Sequence, residues 1–227
     1  MPKRQYRLPV FIVSAALGLV YPVSASQFVI DVQNAGFEDS TVFSQAYGAQ
    51  QWNSSAPGWT VIGASDSAGD YRPVEERYST YSLFINPFEG LNVGYSNTGT
   101  LSQVLAAQAR MGVTYTMSVA VGRRGDLPGQ SYTIGLYSAG IPIGVYTGNT
   151  GTMMPASWNV IDFSVRNTVV NNQPLEIRLT AGGIQVNFDT IRLFADTPEP
   201  QTFFMGPAGL LILGTIAVRR HRAKKLF

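Results

Sequence analysis

The segment from Gly63 to Thr80 concentrates side chains that can bind or react. Aromatic rings stack on the CH faces of sugars, and charged neighbours hydrogen-bond the hydroxyl groups. The alternative is a solvated loop whose tyrosines cover the domain. We expect Tyr71, Arg72 and Tyr78 of this segment to bind a saccharide. Trp52, in an upstream loop, is expected to add a further aromatic surface for stacking.

The same segment offers little for catalysis. Glu75 and Glu76 are adjacent, so in an extended loop they point to opposite sides and do not form the facing carboxylate pair, about 5–9 Å apart, of a glycosidase. The sequence has no cysteine, and its one histidine is His221, near the C-terminus. Thiol nucleophiles, cysteine-ligated metals and histidine general bases are therefore excluded from residues 26–196. We expect a protein that is not an enzyme.

The N-terminus reads as a secretory signal peptide over residues 1–25. Basic residues at Lys3, Arg4 and Arg7 precede the apolar run 8–20, and small residues end at Ala25, where cleavage is expected. An uncleaved anchor is the alternative.

The C-terminus carries a second apolar run, residues 203–218, followed by the basic tail 219–225. As a helix, 16 residues span about 24 Å, somewhat less than the roughly 30 Å hydrocarbon core of a bilayer. Arginine snorkelling and local thinning of the bilayer close this gap, and the basic tail should remain cytoplasmic. We expect a short transmembrane helix. The alternative is a buried C-terminal helix of a globular domain.

The segment between these two ends is acidic. Residues 26–197 contain eight arginines, no lysine and 13 carboxylates, which gives a net charge of −5. The isoelectric point near 8.9 therefore reflects the terminal segments. The basic surface that nucleic-acid binding requires is missing from the domain, so we expect no nucleic-acid partner.

Residues 26–196 have the pattern of an all-β domain. Short apolar segments alternate with turn residues, most clearly in 114–121, where every second side chain is apolar. Residues 63–80 read as irregular and 105–111 as one or two helical turns. About ten short strands without a long helix predict a two-sheet antiparallel β-sandwich, with a closed barrel as the alternative.

The end of the chain resembles the PEP-CTERM sorting signal of Gram-negative bacteria. Pro198, Glu199 and Pro200 precede the apolar run and the arginine cluster, and segment 197–227 carries the whole signal. The resemblance implies that an exosortase in the inner membrane recognises the chain and processes it. It also implies export, anchoring through the C-terminus, and release to the cell surface or the extracellular space.

The central domain resembles galactose-binding-like jelly rolls, which include carbohydrate-binding modules. The resemblance rests on five motifs in order: 34–38 (NAGFE), 57–59 (PGW), 101–105 (LSQVL), 112–116 (GVTYT) and 188–193 (FDTIRL). It implies a structural calcium shared by Glu38 and Asp189 and a non-catalytic envelope or matrix protein whose sandwich binds extracellular polysaccharide. The alternatives are a carboxylate-dependent, polysaccharide-active enzyme and a structural matrix protein without a specific ligand.

Overall fold

The computed structural model describes residues 26–47, 50–73 and 86–197. These residues form thirteen β-strands and a short 3-10 turn at Thr150–Thr152. The strands are β1 (Ser26–Ile30), β2 (Gln45–Tyr47), β3 (Gln50–Asn53), β4 (Thr60–Ile62), β5 (Ala68–Arg72), β6 (Val93–Asn97), β7 (Thr100–Gln108), β8 (Thr114–Arg123), β9 (Ser131–Ser138), β10 (Ile141–Asn149), β11 (Ser157–Arg166), β12 (Pro174–Ala181) and β13 (Ile184–Thr197).

The strands form two antiparallel sheets. The larger sheet has eight strands in the order β11-β8-β13-β6-β5-β3-β2, with β1 also paired to β13. The smaller sheet has five strands in the order β10-β9-β12-β7-β4. Every pairing is antiparallel, and most join strands that are distant in sequence. The predicted two-sheet antiparallel sandwich is therefore confirmed, and the closed-barrel alternative is wrong.

Strand β13 organises the larger sheet. Along one side it pairs with β8 over most of its length, and along the other it pairs first with β6 and then with β1. Its register shifts between Asp189 and Arg192, where Thr190 has a positive φ of 48°. The Ile191 N–H donates to Ala35 O at 3.0 Å, which ties the loop after β1 into the space between β1 and β6. Asp189 thus lies at a junction of strands and loops.

The hydrophobic core fills the space between the two sheets. In β8 the side chains of Tyr115, Met117, Val119 and Val121 are buried, while the intervening residues face the other way, as the sequence alternation predicts. The smaller sheet supplies the opposite wall with its own buried alternation in β9 and β12. Burial of these apolar groups is the main driving force for folding.

Two local predictions are wrong. Segment 63–80 was expected to be irregular, but Ala68–Arg72 is the buried strand β5. Segment 105–111 was expected to be helical, but β7 continues to Gln108 because it pairs with β12 as far as Pro174. In both places pairing with distant strands outweighs local propensity.

The predictions for the two ends concern residues that the structure does not describe. They are the signal peptide 1–25, the sorting motif 198–200, the apolar run 203–218 and the basic tail 219–225. Among the described residues, no helix is long and apolar enough to cross a membrane.

Candidate functional site

The structure brings together two of the four predicted ligand-binding side chains. Trp52 in β3 and Tyr71 in β5 are paired in register, so both lie on the side of the larger sheet that faces away from the core. Arg72 points to the opposite side, where its Nε donates to Asn92 Oδ1 at 2.9 Å. This follows from strand alternation, because neighbouring residues in a strand face opposite ways. Tyr78 lies outside the described residues.

A cluster of aromatic and apolar side chains covers this outer side of the sheet, and we call it the aromatic face. Its members are Trp52, Tyr71, Val93, Tyr95 and Trp158. Tyr71, Val93 and Tyr95 are at most 4% exposed, whereas the two tryptophans are half-buried. Tyr71 and Tyr95 meet edge to face with ring centroids 6.0 Å apart. A sheet with one buried core face therefore also carries an apolar patch on its outer face.

The glycine at position 122 makes room for Trp158. Gly122 and Trp158 are paired across β8 and β11, and a Cβ at Gly122 would lie 2.8 Å from the indole ring. The ring therefore lies directly on the backbone of β8. The indole Nε1–H donates to Asn86 O at 2.7 Å. The Phe88 ring packs edge to face against the indole, with the ring centroids 6.0 Å apart. These contacts connect the aromatic face to the 86–92 loop.

Asn187 lies in the middle of the aromatic face. It pairs in register with Tyr95 on one side and with Gly122 on the other, and its neighbours Val186 and Phe188 point into the core. Its side chain is 0% exposed. Its Oδ1 accepts a hydrogen bond from Gln185 Nε2 at 2.8 Å, whereas its Nδ2 has no hydrogen-bond partner among the described residues.

A chain of polar contacts leads from Asn187 to an ion pair. Gln185 Oε1 accepts a hydrogen bond from Arg124 Nη1, and the guanidinium of Arg124 makes a bidentate pair with Asp126 at 2.9 and 2.8 Å. Burial dominates and raises the Tyr71 pKa; the charges of Arg124 and Asp126 act on the hydroxyl in opposite directions, and the weak hydrogen-bonding contact with Asn187 lowers the pKa slightly. The tyrosine is therefore neutral at physiological pH.

Asp189 borders the aromatic face and is completely buried. Its Oδ2 accepts hydrogen bonds from the N–H groups of Phe88 and Glu89, both at 3.0 Å, and its Oδ1 accepts from the Thr190 N–H at 2.7 Å. Burial raises the pKa of the Asp189 carboxyl to about 6, against the opposing effect of these donors. A carboxyl group with a pKa near neutrality is able to donate a proton.

Glu38 lies close to Asp189. A Cβ built at Gly36 would lie 3.6 Å from Asp189 Oδ1 and 3.8 Å from Glu38 Cγ. Like Asp189, Glu38 accepts from two backbone groups, the N–H groups of Leu91 and Asn92, both at 2.9 Å from its Oε1. The two carboxylates therefore hold neighbouring parts of the 86–92 loop, Asp189 at residues 88–89 and Glu38 at residues 91–92.

This donor set does not by itself form a calcium site. Calcium takes six to eight oxygen ligands, and most of the oxygens of Glu38 and Asp189 are already occupied by N–H donors. No group of three or more histidine, cysteine, aspartate or glutamate side chains able to hold a metal occurs in the described part of the chain. The sequence-based calcium assignment remains a prediction.

Several residues of this site were missed at the level of sequence: Tyr95, Arg124, Trp158, Gln185 and Asn187. The sequence does indicate the position of Trp158. Strand alternation places it on the face opposite to Ile161, Phe163 and Val165, which face the core from the same strand. An aromatic residue on the outward phase of a strand is a candidate for a surface contact. For Asn187 the sequence carries no such signal.

Comparison with solved structures places the sandwich among known β-domains. A crystal structure of a cyclase from Fischerella sp. TAU matches with a TM-score of 0.61 and 21% identity, covering 77% of this chain and 100% of that one. The module TmCBM61, solved with β-1,4-galactotriose, matches at 0.44 with 16% identity, covering 72% and 97%. The CBM22-1 xylan-binding domain of Paenibacillus barcinonensis Xyn10C matches at 0.43 with 9% identity, covering 64% and 90%.

No curated protein matches the sequence. A family model described as HpiC1-like, HpiC1 cyclase, matches residues 29–194, which is nearly the whole described sandwich. The chain therefore belongs to the HpiC1 cyclase-like family.

Proposed function

We propose that this chain is an exported, non-catalytic protein whose sandwich binds polysaccharide through the aromatic face. The observation that carries the proposal is the position of the half-buried Trp52 and Trp158 on the outer side of the larger sheet, in one cluster with the buried rings of Tyr71 and Tyr95. Flat aromatic side chains on a rigid sheet are well suited to stacking on sugar rings.

Affinity electrophoresis tests the binding. The purified protein should migrate more slowly in gels that contain a polysaccharide to which it binds. Trp52→Ala should raise the apparent Kd about tenfold, because the Trp52 ring is only half-buried and can contact a ligand. Tyr137→Ala is the matched control. Tyr137 is also half-buried, but it lies on the outer side of the smaller sheet beneath Arg178. If only Tyr137→Ala loses binding, the polysaccharide site lies on the smaller sheet and not on the aromatic face.

The proposal includes the route to the cell surface. A signal peptide at 1–25 directs export, the helix 203–218 holds the chain in the inner membrane, and an exosortase processes it near Pro198-Glu199-Pro200. The support is the order of motif, apolar run and basic tail. Expression in a Gram-negative host with and without an exosortase tests it. A shorter, released species should form only with the exosortase, and Glu199→Ala should prevent its release.

A second candidate function is acid-catalysed cyclisation of a small molecule. Membership of the cyclase-like family favours it, and so does Asp189, a buried carboxyl with a pKa raised to about 6 at the border of an apolar face. In this alternative, Asp189 donates a proton to the ligand, the cation cyclises, and the Asp189 carboxylate takes a proton back from the cyclised cation, which leaves a neutral isomer. The aromatic side chains exclude water and stack against the developing positive charge.

Mass spectrometry and NMR of the ligand after incubation separate the two functions. A binding protein returns its ligand unchanged, whereas an acid catalyst returns an isomer. Asp189→Asn should abolish isomer formation while ligand binding persists. Conversion that survives in Asp189→Asn would remove this residue from the mechanism.

A further inference from the structure

The centre of the aromatic face offers one hydrogen-bond donor that the described protein does not use. Asn187 Nδ2 is fully buried and lacks a partner among the described residues. Asn187 lies close enough to the Tyr71 hydroxyl to lower the pKa of that group as a weak hydrogen-bonding neighbour, but the contact does not reach the distance and angle of a regular hydrogen bond. Leaving a buried amide donor without a full hydrogen bond is unfavourable, so an acceptor oxygen placed there would bind favourably.

The other end of the Asn187 side chain is fixed. Its Oδ1 accepts from Gln185 Nε2, and Gln185 is in turn held by Arg124. This chain of donors sets which end of the amide is oxygen and which is nitrogen. The Nδ2 group is therefore oriented toward the aromatic side of the site, and it offers a donor but no acceptor.

The charges around the face favour an uncharged ligand. The guanidinium of Arg124 is neutralised by Asp126, with which it forms a bidentate pair. Asp189 contributes negative charge at the border of the face once it is ionised. Among the residues that the structure describes near the face, an anionic ligand would meet this carboxylate without gaining an unpaired cation, and the net charge of −5 on the domain adds to the repulsion.

We propose, building on the polysaccharide-binding function above, that Asn187 is the polar anchor of the aromatic face and donates from Nδ2 to a hydroxyl or ether oxygen of a neutral sugar unit. The sugar stacks on the half-buried tryptophans and places one oxygen at the amide. Because Asn187 is fully buried, binding requires a shift of covering side chains. Trp158, which is half-buried and lies on the neighbouring Gly122, is one side chain that has to move.

The experiment compares polysaccharides that differ only in charge. Full-length protein in a polyoxyethylene detergent, which contains no sugar, is tested by affinity electrophoresis against galactan and polygalacturonate, and against mannan and polymannuronate. The variants are Asn187→Leu, which removes the donor at similar volume, and Asn167→Leu. Asn167 is the matched control because it is also buried and its Nδ2 has no hydrogen-bond partner in the part of the chain that the structure describes, but it follows β11 and lies outside the aromatic face.

The inference predicts that the neutral member of at least one pair binds at least about tenfold more tightly than its acidic counterpart. Asn187→Leu should weaken that binding about tenfold, and Asn167→Leu should not. Should Asn187→Leu fail to fold, Asn187→Ala and the wild-type preference within each pair decide instead.

Two results would overturn the inference and leave the binding function intact. One is tighter binding of the acidic member of a pair. The other is unchanged affinity in Asn187→Leu while Trp52→Ala loses binding. If the wild type binds none of the four polymers, the binding function itself falls, and this inference falls with it.

Discussion

Replacement of Asp189 by asparagine gives the sharpest physical test of the site. The carboxyl is fully buried and accepts hydrogen bonds from three backbone N–H groups, yet burial raises its pKa from 3.8 to about 6. Between these two pH values the folded protein binds a proton that the unfolded chain has already released. By linkage, this carboxyl makes the fold less stable as the pH rises through that window.

The size of the effect follows from the shift. About two pKa units at roughly 1.4 kcal/mol each give a loss of about 3 kcal/mol between pH 4 and pH 7 in the wild type. An asparagine side chain does not titrate, so Asp189→Asn should remove this dependence. Asparagine has a single acceptor oxygen, so the variant also leaves a backbone N–H unpaired, at a cost of about 1–3 kcal/mol that does not change with pH.

The assay is urea unfolding of residues 26–197 at several pH values between 4 and 7, followed by tryptophan fluorescence. The free-energy difference between wild type and Asp189→Asn should favour the wild type most at pH 4 and shrink by about 3 kcal/mol toward pH 7. Asp162→Asn, which removes an exposed carboxylate of β11, controls for the change in net charge. Parallel pH profiles for wild type and Asp189→Asn would refute the assignment of a raised pKa to Asp189.

Four further predictions address the packing, the surface and the metal. Gly94→Ala should lower the free energy of unfolding by about 1–3 kcal/mol in chemical denaturation, because a methyl group there meets the fully buried ring of Phe37; full stability would contradict this packing. Gly122→Val should displace the Trp158 ring and shift its fluorescence, and an unchanged spectrum would argue against that contact. Arg178→Ala should cost less than about 1 kcal/mol, since its pair with a glutamate is partly exposed; a larger loss in the same assay would point to a coupled network. If calcium binds at Asp189, excess chelator should lower the Tm, and an equal Tm with and without chelator removes the calcium hypothesis.

Part of the fold could be predicted, because an alternating pattern of apolar residues indicates which side chains of a strand face the core. In β8 the apolar residues from Tyr115 to Val121 occupy every second position, and they do face the core. Strand β5 could not be predicted in the same way, because its sequence Ala-Gly-Asp-Tyr-Arg has low strand propensity. It is held by pairing with β3 and β6, and Gly69 is required where the Asn53 carbonyl approaches its backbone.

The candidate site, too, was predictable from the sequence only in part. Trp52 and Tyr71 were expected to act together, and their pairing across β3 and β5 places them on one face. Arg72 was expected beside them, but alternation along β5 turns it to the other side of the sheet. Asn187 gave no sequence signal, since it is one polar residue among many in the last strand. Its position became visible only when β6 and β8 were aligned on either side of it.

The sequence alone therefore determined the chemistry available to this protein. It excludes thiol and imidazole chemistry from the sandwich, and it predicts two antiparallel sheets and an acidic domain between two apolar ends. Only the tertiary structure decided which side chains meet. Alternation divides each strand into two faces, but which residues become neighbours on a face depends on the register between strands that are far apart in the chain. The aromatic face, the buried Asn187 Nδ2 that lacks a regular hydrogen bond within the described sandwich, and the buried carboxyl of Asp189 all arise from that register.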